Sequence, residues 1–454
     1  MGVLFPAAFL VRYFNATIFR PMASIPSPIP PSAPKKTTPL GRVFEAFTNQ
    51  DFRRIWYFYV INALGMNMDM VAQGWLVLEI TDDSAFWVGA VVGLRGVGQI
   101  GFGAVGGLLA DRFDRRAVLA AVQAGRAIIF GALGLLVVTD QIQLWHVLPV
   151  AVISGMLMAT MLPAGEALVY DAVGPKRLLN ATAFKSGAWR LAGIVSSLAA
   201  GFVISAFGTG WCYLLVAALM VVSPLPLLWV KTRYSAPSAR KSVWQTLSEG
   251  VSYASKSPPV RSLLIFSMAL EMFGYSYYAM LPVIAKEVLH LEADGLGYLS
   301  AASNVGGVLS ILLLAAMSDF KNRTLIVVVC GLFTGAFLIL FAMSSWFVGS
   351  LVLVGLIGAS LSAYDPTMSA SLQTLTADAM RGRIMGLYGL TFGFTPVGGF
   401  VAGSMASAAS APFAVGAGGV MVLACVGLIL LPTRSLWRTS QPAAPWPQGA
   451  PGAP

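Results

Sequence analysis

Long apolar runs, each of 18 residues or more and separated by short polar connections, recur through most of this chain. No soluble core of this size requires them, and a membrane-spanning helix needs roughly 20 predominantly apolar residues. Read as spanning helices 1 to 6, the runs fall near 54–79, 86–110, 117–138, 144–169, 179–206 and 211–230. Helices 7 to 12 fall near 261–286, 296–317, 324–344, 346–371, 384–407 and 411–432. The pattern predicts an all-α polytopic membrane protein with twelve transmembrane helices in two six-helix halves, 53–230 and 261–433. Residues 1–52 and 434–454 are expected to be largely disordered tails, and 231–260 a polar linker.

The linker is the longest internal connection, is basic, and contains an amphipathic helix expected over Val243 to Tyr253 on the cytoplasmic membrane surface. The outer connections after helices 1, 3 and 5 are TDDSAF, TDQIQ and GTG, too short to house an extracellular catalytic or receptor domain. Helices 2, 5, 8 and 11 are rich in small residues, for example Gly96, Gly98, Gly101 and Gly103 in helix 2. In lipid such residues let helix backbones approach closely.

Composition agrees: 57% of residues are hydrophobic and only 11% charged, against about a quarter charged in a soluble domain. The net charge of +10 is distributed by topology, since 24 of the 29 Lys and Arg fall on one side of the span map. The other five are Arg95, Arg126, Lys185, Arg190 and Lys286, of which only Lys286 lies at an opposite-side end. The positive-inside rule then puts both termini in the cytoplasm, in a multi-pass protein of the plasma (bacterial inner) membrane. The basic excess meets anionic lipid headgroups and is not a nucleic-acid patch. Cys212, Cys330 and Cys425 are scattered within spans, giving neither a disulfide framework nor a metal cluster. His146 and His290 lie near outer helix ends, far apart, and read as interfacial polar residues. Residues 1–21 hold a short apolar run ended by Arg12 and no convincing cleavage site, so Met22 is an alternative start.

Between helices 2 and 3 stands GGLLADRFDRR, Gly106 to Arg116, which crowds Asp111, Arg112, Asp114, Arg115 and Arg116 into a very short connection. A worn copy, AAMSDFKNR from Ala315 to Arg323, aligns Asp319 with Asp111 and Arg323 with Arg115 at an offset of 208 residues. LAGIVSSLAAG, ending at Gly201, parallels TPVGGFVAG, ending at Gly403, at an offset of 202. The chain is therefore read as internally duplicated.

These loops resemble the loop between helices 2 and 3 of the major facilitator superfamily. The stretch from Asp51, DFRRIWYFYVINALGMNMDMVAQGWLVLEITDDSAFWVGAVVGLRG, and RGRIMGLYGLTFGFTPVGG, Arg381 to Gly399, narrow the resemblance. They are similar to the branch of transmembrane secretion effectors that contains enterobactin-type siderophore exporters and macrolide-type drug efflux proteins. The resemblance covers roughly residues 51–434. It implies two halves related by an axis along the membrane normal, with a site between them. It also makes the first motif loop a cytoplasmic gate built on Gly107, in which Asp111 meets the start of helix 11 and Arg112, Arg115 and Arg116 pair with acids across the loop. In the second copy Phe320 replaces Arg112 and Thr324 replaces Arg116, so Asp319 and Arg323 are expected to contribute less. The plain alternative is a basic loop that only sets topology. The helix 5 antiporter signature, glycine then proline, is broken here because Ile194 follows Gly193, and Gly393, Pro396, Gly398 and Gly399 in helix 11 match it only in part.

Ionisable residues within spans cost about 2.5–3.5 kcal/mol each on insertion scales and so mark functional positions. Asn62, Met66, Asp69 and Gln73 share one face of helix 1, a polar stripe toward the interior. Asp69 lies ten residues before Glu79, and Arg95 nine after Phe86 on the returning helix. Both therefore sit roughly 15 Å from the outer end and can pair. A second layer, Arg126, Arg190, Glu271 and Asp365, is expected to form a charge-balanced lining drawn from both halves. Ion pairs that merely hold helices together are the rival reading, and Glu166 reads as interfacial. Tyr275, Tyr277 and Tyr278 of helix 7, with Met66, Met68 and Met70 of helix 1, suit an amphipathic substrate or ordinary helix packing.

No phosphate-binding G-x-x-x-x-G-K-[ST] motif occurs in the chain, so active transport has to draw on an ion gradient. Carboxylates in a low dielectric take up protons near neutral pH, which makes proton antiport the default. The sequence thus predicts a monomeric, non-enzymatic secondary transporter, without cofactor or metal, that exports a drug-like molecule or siderophore against protons by alternating access. Its partners are the small-molecule substrate, protons and membrane lipid, with no nucleic acid. An importer of a metabolite on the same fold and a non-transporting membrane sensor are the alternatives; a membrane enzyme lacks any visible nucleophile or His/acid cluster.

Overall fold

The structure, a computed structural model, describes residues 45–232, 243–316 and 323–433. The bulk of both tails, part of the linker and most of the second motif copy, Asp319 included, lie outside the described residues. Helix 1 runs Gln50–Ile80 and starts where the Asn49 side chain accepts hydrogen bonds from the N–H groups of Asp51 and Phe52, a standard N-cap. Helix 2 is Ala85–Arg112 and helix 3 Arg115–Val138, the latter capped by Asp114. The unbroken run Leu144–Phe207 holds helices 4 and 5. They part at Gly174, whose φ of 70° and ψ of 175° no L side chain adopts comfortably. Pro175 follows as the first residue of helix 5, where its missing N–H costs nothing. The connection expected over 170–178 is thus helical except at that glycine.

Helix 6 is Thr209–Val222, extended by a 3₁₀ turn over Leu225–Trp229, and the linker helix is Val243–Lys256. Helix 7 is built in pieces: Pro258–Ala269, a π-turn over Leu270–Gly274, Tyr277–Val283 and a second π-turn over Ile284–Val288. Helices 8, 9 and 10 are Ala293–Ala316, Arg323–Ala342 and Phe347–Leu375. Helix 11 is broken at Gly393 into Asp378–Thr391 and Phe394–Ala408, and helix 12 is Ala411–Cys425 with a closing π-turn. Nine stretches among the described residues are long and apolar enough to cross a membrane. Helices 4 and 5 count there as one, the polar stripe dilutes helix 1 and the π-turns divide helix 7, so the spans number twelve.

Close backbone contacts knit each half. A Cβ on Gly98 or Gly155 would collide with the carbonyl of Val152 or Arg95, locking helix 2 to helix 4. Gly306 and Gly358 meet the carbonyls of Gly355 and Ser303 in the same way, locking helix 8 to helix 10. The halves meet each other away from the motif loop. Gly89 packs on Gly399 and Gly403, Gly201 on Gly297, and Gly74 on the ring of Pro282. At that end Lys286 of helix 7 forms an ion pair with Asp83, in the connection between helices 1 and 2. Toward the motif-loop end the halves part: Gly101, Gly103 and Gly107 of helix 2, and Gly382, Gly386 and Gly389 of helix 11, have nothing within 4 Å of where a Cβ would sit. The close glycine contacts between the halves thus gather toward the end opposite the motif loop. The linker helix packs on the first half of helix 11, where Glu249 pairs with Arg383 at 2.6 Å and Gly250 faces Leu387. Its amphipathic pattern is thus used at least partly against protein.

Candidate functional site between the two halves

The polar stripe of helix 1 is buried as a unit: Asn62, Met66, Asp69 and Gln73 are each at most 6% exposed. Asp69 is fully buried, and its Oδ2 accepts a hydrogen bond from Arg95 Nη2 at 2.7 Å. Its Oδ1 has no partner among the described residues. Beside it Arg126 is also fully buried, with Nη1 donating to Met66 Sδ at 2.8 Å and to Asn62 Oδ1 at 3.5 Å, and Nη2 donating to Met158 Sδ at 3.3 Å. Gln123 steadies this cluster by donating to Asn62 Oδ1 at 2.9 Å and Ser223 Oγ at 2.7 Å. Among the described residues no carboxylate lies within ion-pair distance of Arg126 or Arg190.

The facing half contributes acids. The π-turn of helix 7 carries Glu271, whose Oε2 accepts a hydrogen bond from Thr395 Oγ1 at 2.5 Å, while Oε1 is buried with no partner among the described residues. Such turns recur at functional sites because the extra residue re-aims a side chain. Tyr275, one turn on, donates its hydroxyl to Asp365 Oδ2 at 2.9 Å, and Asp365 Oδ1 is again unpartnered. Tyr278 stacks on Tyr275 with centroids 6.5 Å apart, and Tyr277 and Tyr278 share Ser303 Oγ.

Between these walls lies a cavity of about 500 Å³, drawn from helices of both halves. Arg95, Arg190, Glu271 and Asp365 line it. The expected four-residue lining is corrected in one member: Arg126 stands behind Met66 and Met158, because the methionines fill the space between it and the cavity. Asp69 likewise stands behind Arg95. Tyr275, Tyr278, Met66 and Met70 reach the cavity, whereas Tyr277 and Met68 are core residues. Trp189, Gln99 and Asn304 also line it. Nothing in the local sequence marks them, although Trp189 adjoins Arg190. Glu166 pairs with Lys185, whose Nζ lies 5.3 Å from the Tyr59 ring centroid. Among the described residues no group of three His, Cys, Asp or Glu side chains is placed to hold a metal.

At the motif loop Arg115 pairs with Asp171 of helix 4 and donates to the Ala167 carbonyl at 3.1 Å. Arg116 pairs with Asp114 at 2.6 Å and donates to the Val230 carbonyl at 2.6 Å. These two arginines thus tie the loop to helices 4 and 6 within one half. Arg112 is exposed, and Arg323 is exposed at the start of helix 9.

The fold matches solved transporters. A bacterial homologue of the human lysosomal transporter Spinster, in an inward-facing and unoccupied conformation, superposes with a TM-score of 0.66 at 14% identity, over 87% of this chain and 98% of that one. The nucleoside transporter NupG gives 0.62 at 16% identity, over 85% and 98%. By sequence, the enterobactin exporter EntS of Escherichia coli O127:H6 is 27% identical over 403 residues, which is 86% of this chain and 94% of the relative. EntS of Escherichia coli O1:K1 shows the same identity and coverage. The model of the transmembrane secretion effectors matches residues 42–450. With that match over most of its length and the twelve-helix fold beneath it, the chain belongs to the transmembrane secretion effector family of the major facilitator superfamily.

Proposed function

We propose that this protein exports a small organic molecule in exchange for protons, by alternating access around the cavity between its halves. The observation that carries the reading is the cavity itself: closed at one end by glycine contacts, it holds charges from both halves where lipid would otherwise forbid them. The similarity to enterobactin exporters favours a siderophore or a drug-like molecule as cargo. In this reading a proton taken up by Asp69 releases Arg95 toward the cavity, and the structure is the inward-facing state. The test is flux in proteoliposomes and inverted vesicles, beside siderophore-secretion and drug-susceptibility assays on a deletion strain. Accumulation inside inverted vesicles, driven by an inside-acid pH gradient, is the expected result. Uptake in the opposite sense makes the protein an importer, and no flux with any solute favours the sensor.

The orientation rests on the charge asymmetry of 24 in 29 basic residues. A reporter active only in the cytoplasm is expected to work when fused after Lys241 or Arg434, and one active only in the periplasm to stay silent. The reverse pattern would invert the map.

The motif loop is proposed as the gate at the cytoplasmic end, meeting the start of helix 11 when the parted inner ends close. Asp111→Ala is expected to leave the protein inserted and folded while cutting transport by about tenfold, the effect of losing ~1.4 kcal/mol from the closed state. Asp319→Ala should cost less, since its loop lacks the counterparts of Arg112 and Arg116. Equal transport defects in the two variants would remove the asymmetry between the copies.

A further inference from the structure

The geometry points to Glu271 and Asp365, with the hydroxyls of Thr395 and Tyr275, as a subsite for the positively charged nitrogen or other cationic centre of the transported molecule. This inference rests on the reading of the cavity as the transport site and assigns it a substrate chemistry. Each carboxylate has one oxygen held by a hydroxyl and one that is buried without a partner among the described residues, and both side chains line the same cavity. Glu271 is only 2% exposed, so its orphaned oxygen lacks bulk water as a substitute. A buried anion left with an unfilled acceptor position costs far more than one that is paired. The two acids belong to one locus, since Tyr275 follows Glu271 by one turn of helix 7 and reaches across to Asp365 on helix 10.

The opposite wall carries the other sign. Arg190 lines the cavity from helix 5, resting against Gly307 of helix 8. Arg95 is already matched by Asp69. The cavity is thus polarised, acidic on the C-terminal half and basic on the N-terminal half. Among the described residues that line the cavity, the orphaned carboxylate oxygens are those of Glu271 and Asp365, while the orphaned group on the basic wall is a donor, Arg95 Nε, so what the acidic wall lacks is a donor or a cation. Tyr275 and Tyr278, stacked beside the acids, add aromatic faces that attract positive charge.

The test compares two ions of the same shape and opposite charge, tetraphenylphosphonium and tetraphenylborate, binding to the full chain in nanodiscs of neutral lipid, each after subtraction of its uptake by empty nanodiscs, because the bilayer dipole potential favours the borate. Tryptophan fluorescence, to which Trp189 in the cavity wall contributes, is one readout, and calorimetry is the second. The phosphonium is expected to bind at least about tenfold more tightly than the borate, and Glu271→Gln combined with Asp365→Asn to remove that preference. Glu271→Gln keeps the hydrogen bond from Thr395, and size-exclusion profiles check that the variants fold. Equal binding of the two ions, preference for the borate, or no binding of the phosphonium by the unmodified protein overturns the subsite. The transport reading has a separate readout. Borate preference in a protein that still moves solute would sink the subsite alone, whereas phosphonium preference without flux would support the subsite and sink the exporter.

Discussion

Asp69→Asn is expected to abolish pH-driven accumulation of substrate while leaving downhill equilibration intact. Asparagine keeps the shape of the side chain and its ability to meet Arg95, but it cannot bind and release a proton. Arg95 forms part of the cavity wall and Asp69 stands directly behind it, 2.7 Å away. Protonating the acid therefore leaves an uncompensated guanidinium facing the cavity. Among the largely apolar side chains that wall the cavity, that charge acts more strongly on a charged cargo than it would in water. If the acidic wall holds a cationic group, the same event pushes that group out, and one proton in drives one cargo out. The rival account treats the pair as a strut. Removing one member of a buried pair then costs about 3–5 kcal/mol, because the other charge is stranded. On that account Asp69→Asn expresses poorly and Arg95→Gln in the same chain restores it. Proteoliposome assays with and without a pH gradient separate the two. Normal gradient-driven accumulation by Asp69→Asn would end the coupling role and move it to Glu271.

Where sequence reading succeeded, the signal was one of length or register. A bilayer demands a fixed length of apolar helix, so the spans could be placed to within a few residues, apart from the inner join of helices 4 and 5 and the start of helix 11, which lies six residues before the expected 384. There a single glycine with positive φ bends the chain and leaves helix on both sides. Counting residues from the outer ends set Asp69 and Arg95 at one depth, and the ion pair follows from that register. Register could not say which side of a helix meets the cavity. Arg126 and Arg190 lie at similar depth, yet one is enclosed by Met66, Met158 and Met161 while the other reaches the cavity. That difference depends on how helices rotate about their axes. The π-turn that presents Glu271 has no plain signature in the residues around it. The docking of the linker helix on helix 11 depends on a partner surface 134 residues away in sequence, Glu249 to Arg383.

Two glycines of the first half are expected to fail in opposite ways when replaced by valine. Gly155 faces the Arg95 carbonyl within its own half, and a Cβ there collides with backbone that cannot yield. Helices 2 and 4 are pinned along their length by this contact and by Gly98 on Val152. Gly155→Val is therefore expected to prevent stable folding, with loss of the monodisperse protein in detergent. Gly89 makes the same kind of approach, but to Gly399 and Gly403 of the other half. On the alternating-access reading, that contact lasts only while the end away from the motif loop, the outer end in this reading, is shut. Gly89→Val thus leaves each half intact and penalises one state of the transport cycle. Overpacking of this kind costs roughly 1–3 kcal/mol or more, which shifts a two-state population by roughly five- to 150-fold. The variant is expected to fold, to spend most of its time open at the outer end, and to lose at least about 80% of its flux. Spin labels at Asp82 and His290, exposed on the two halves at that end, report the separation directly. They should move apart in Gly89→Val relative to the parent. An unchanged distance in a folded but inactive variant would show that the glycine contact between helices 2 and 11 is not what opens and closes the outer end.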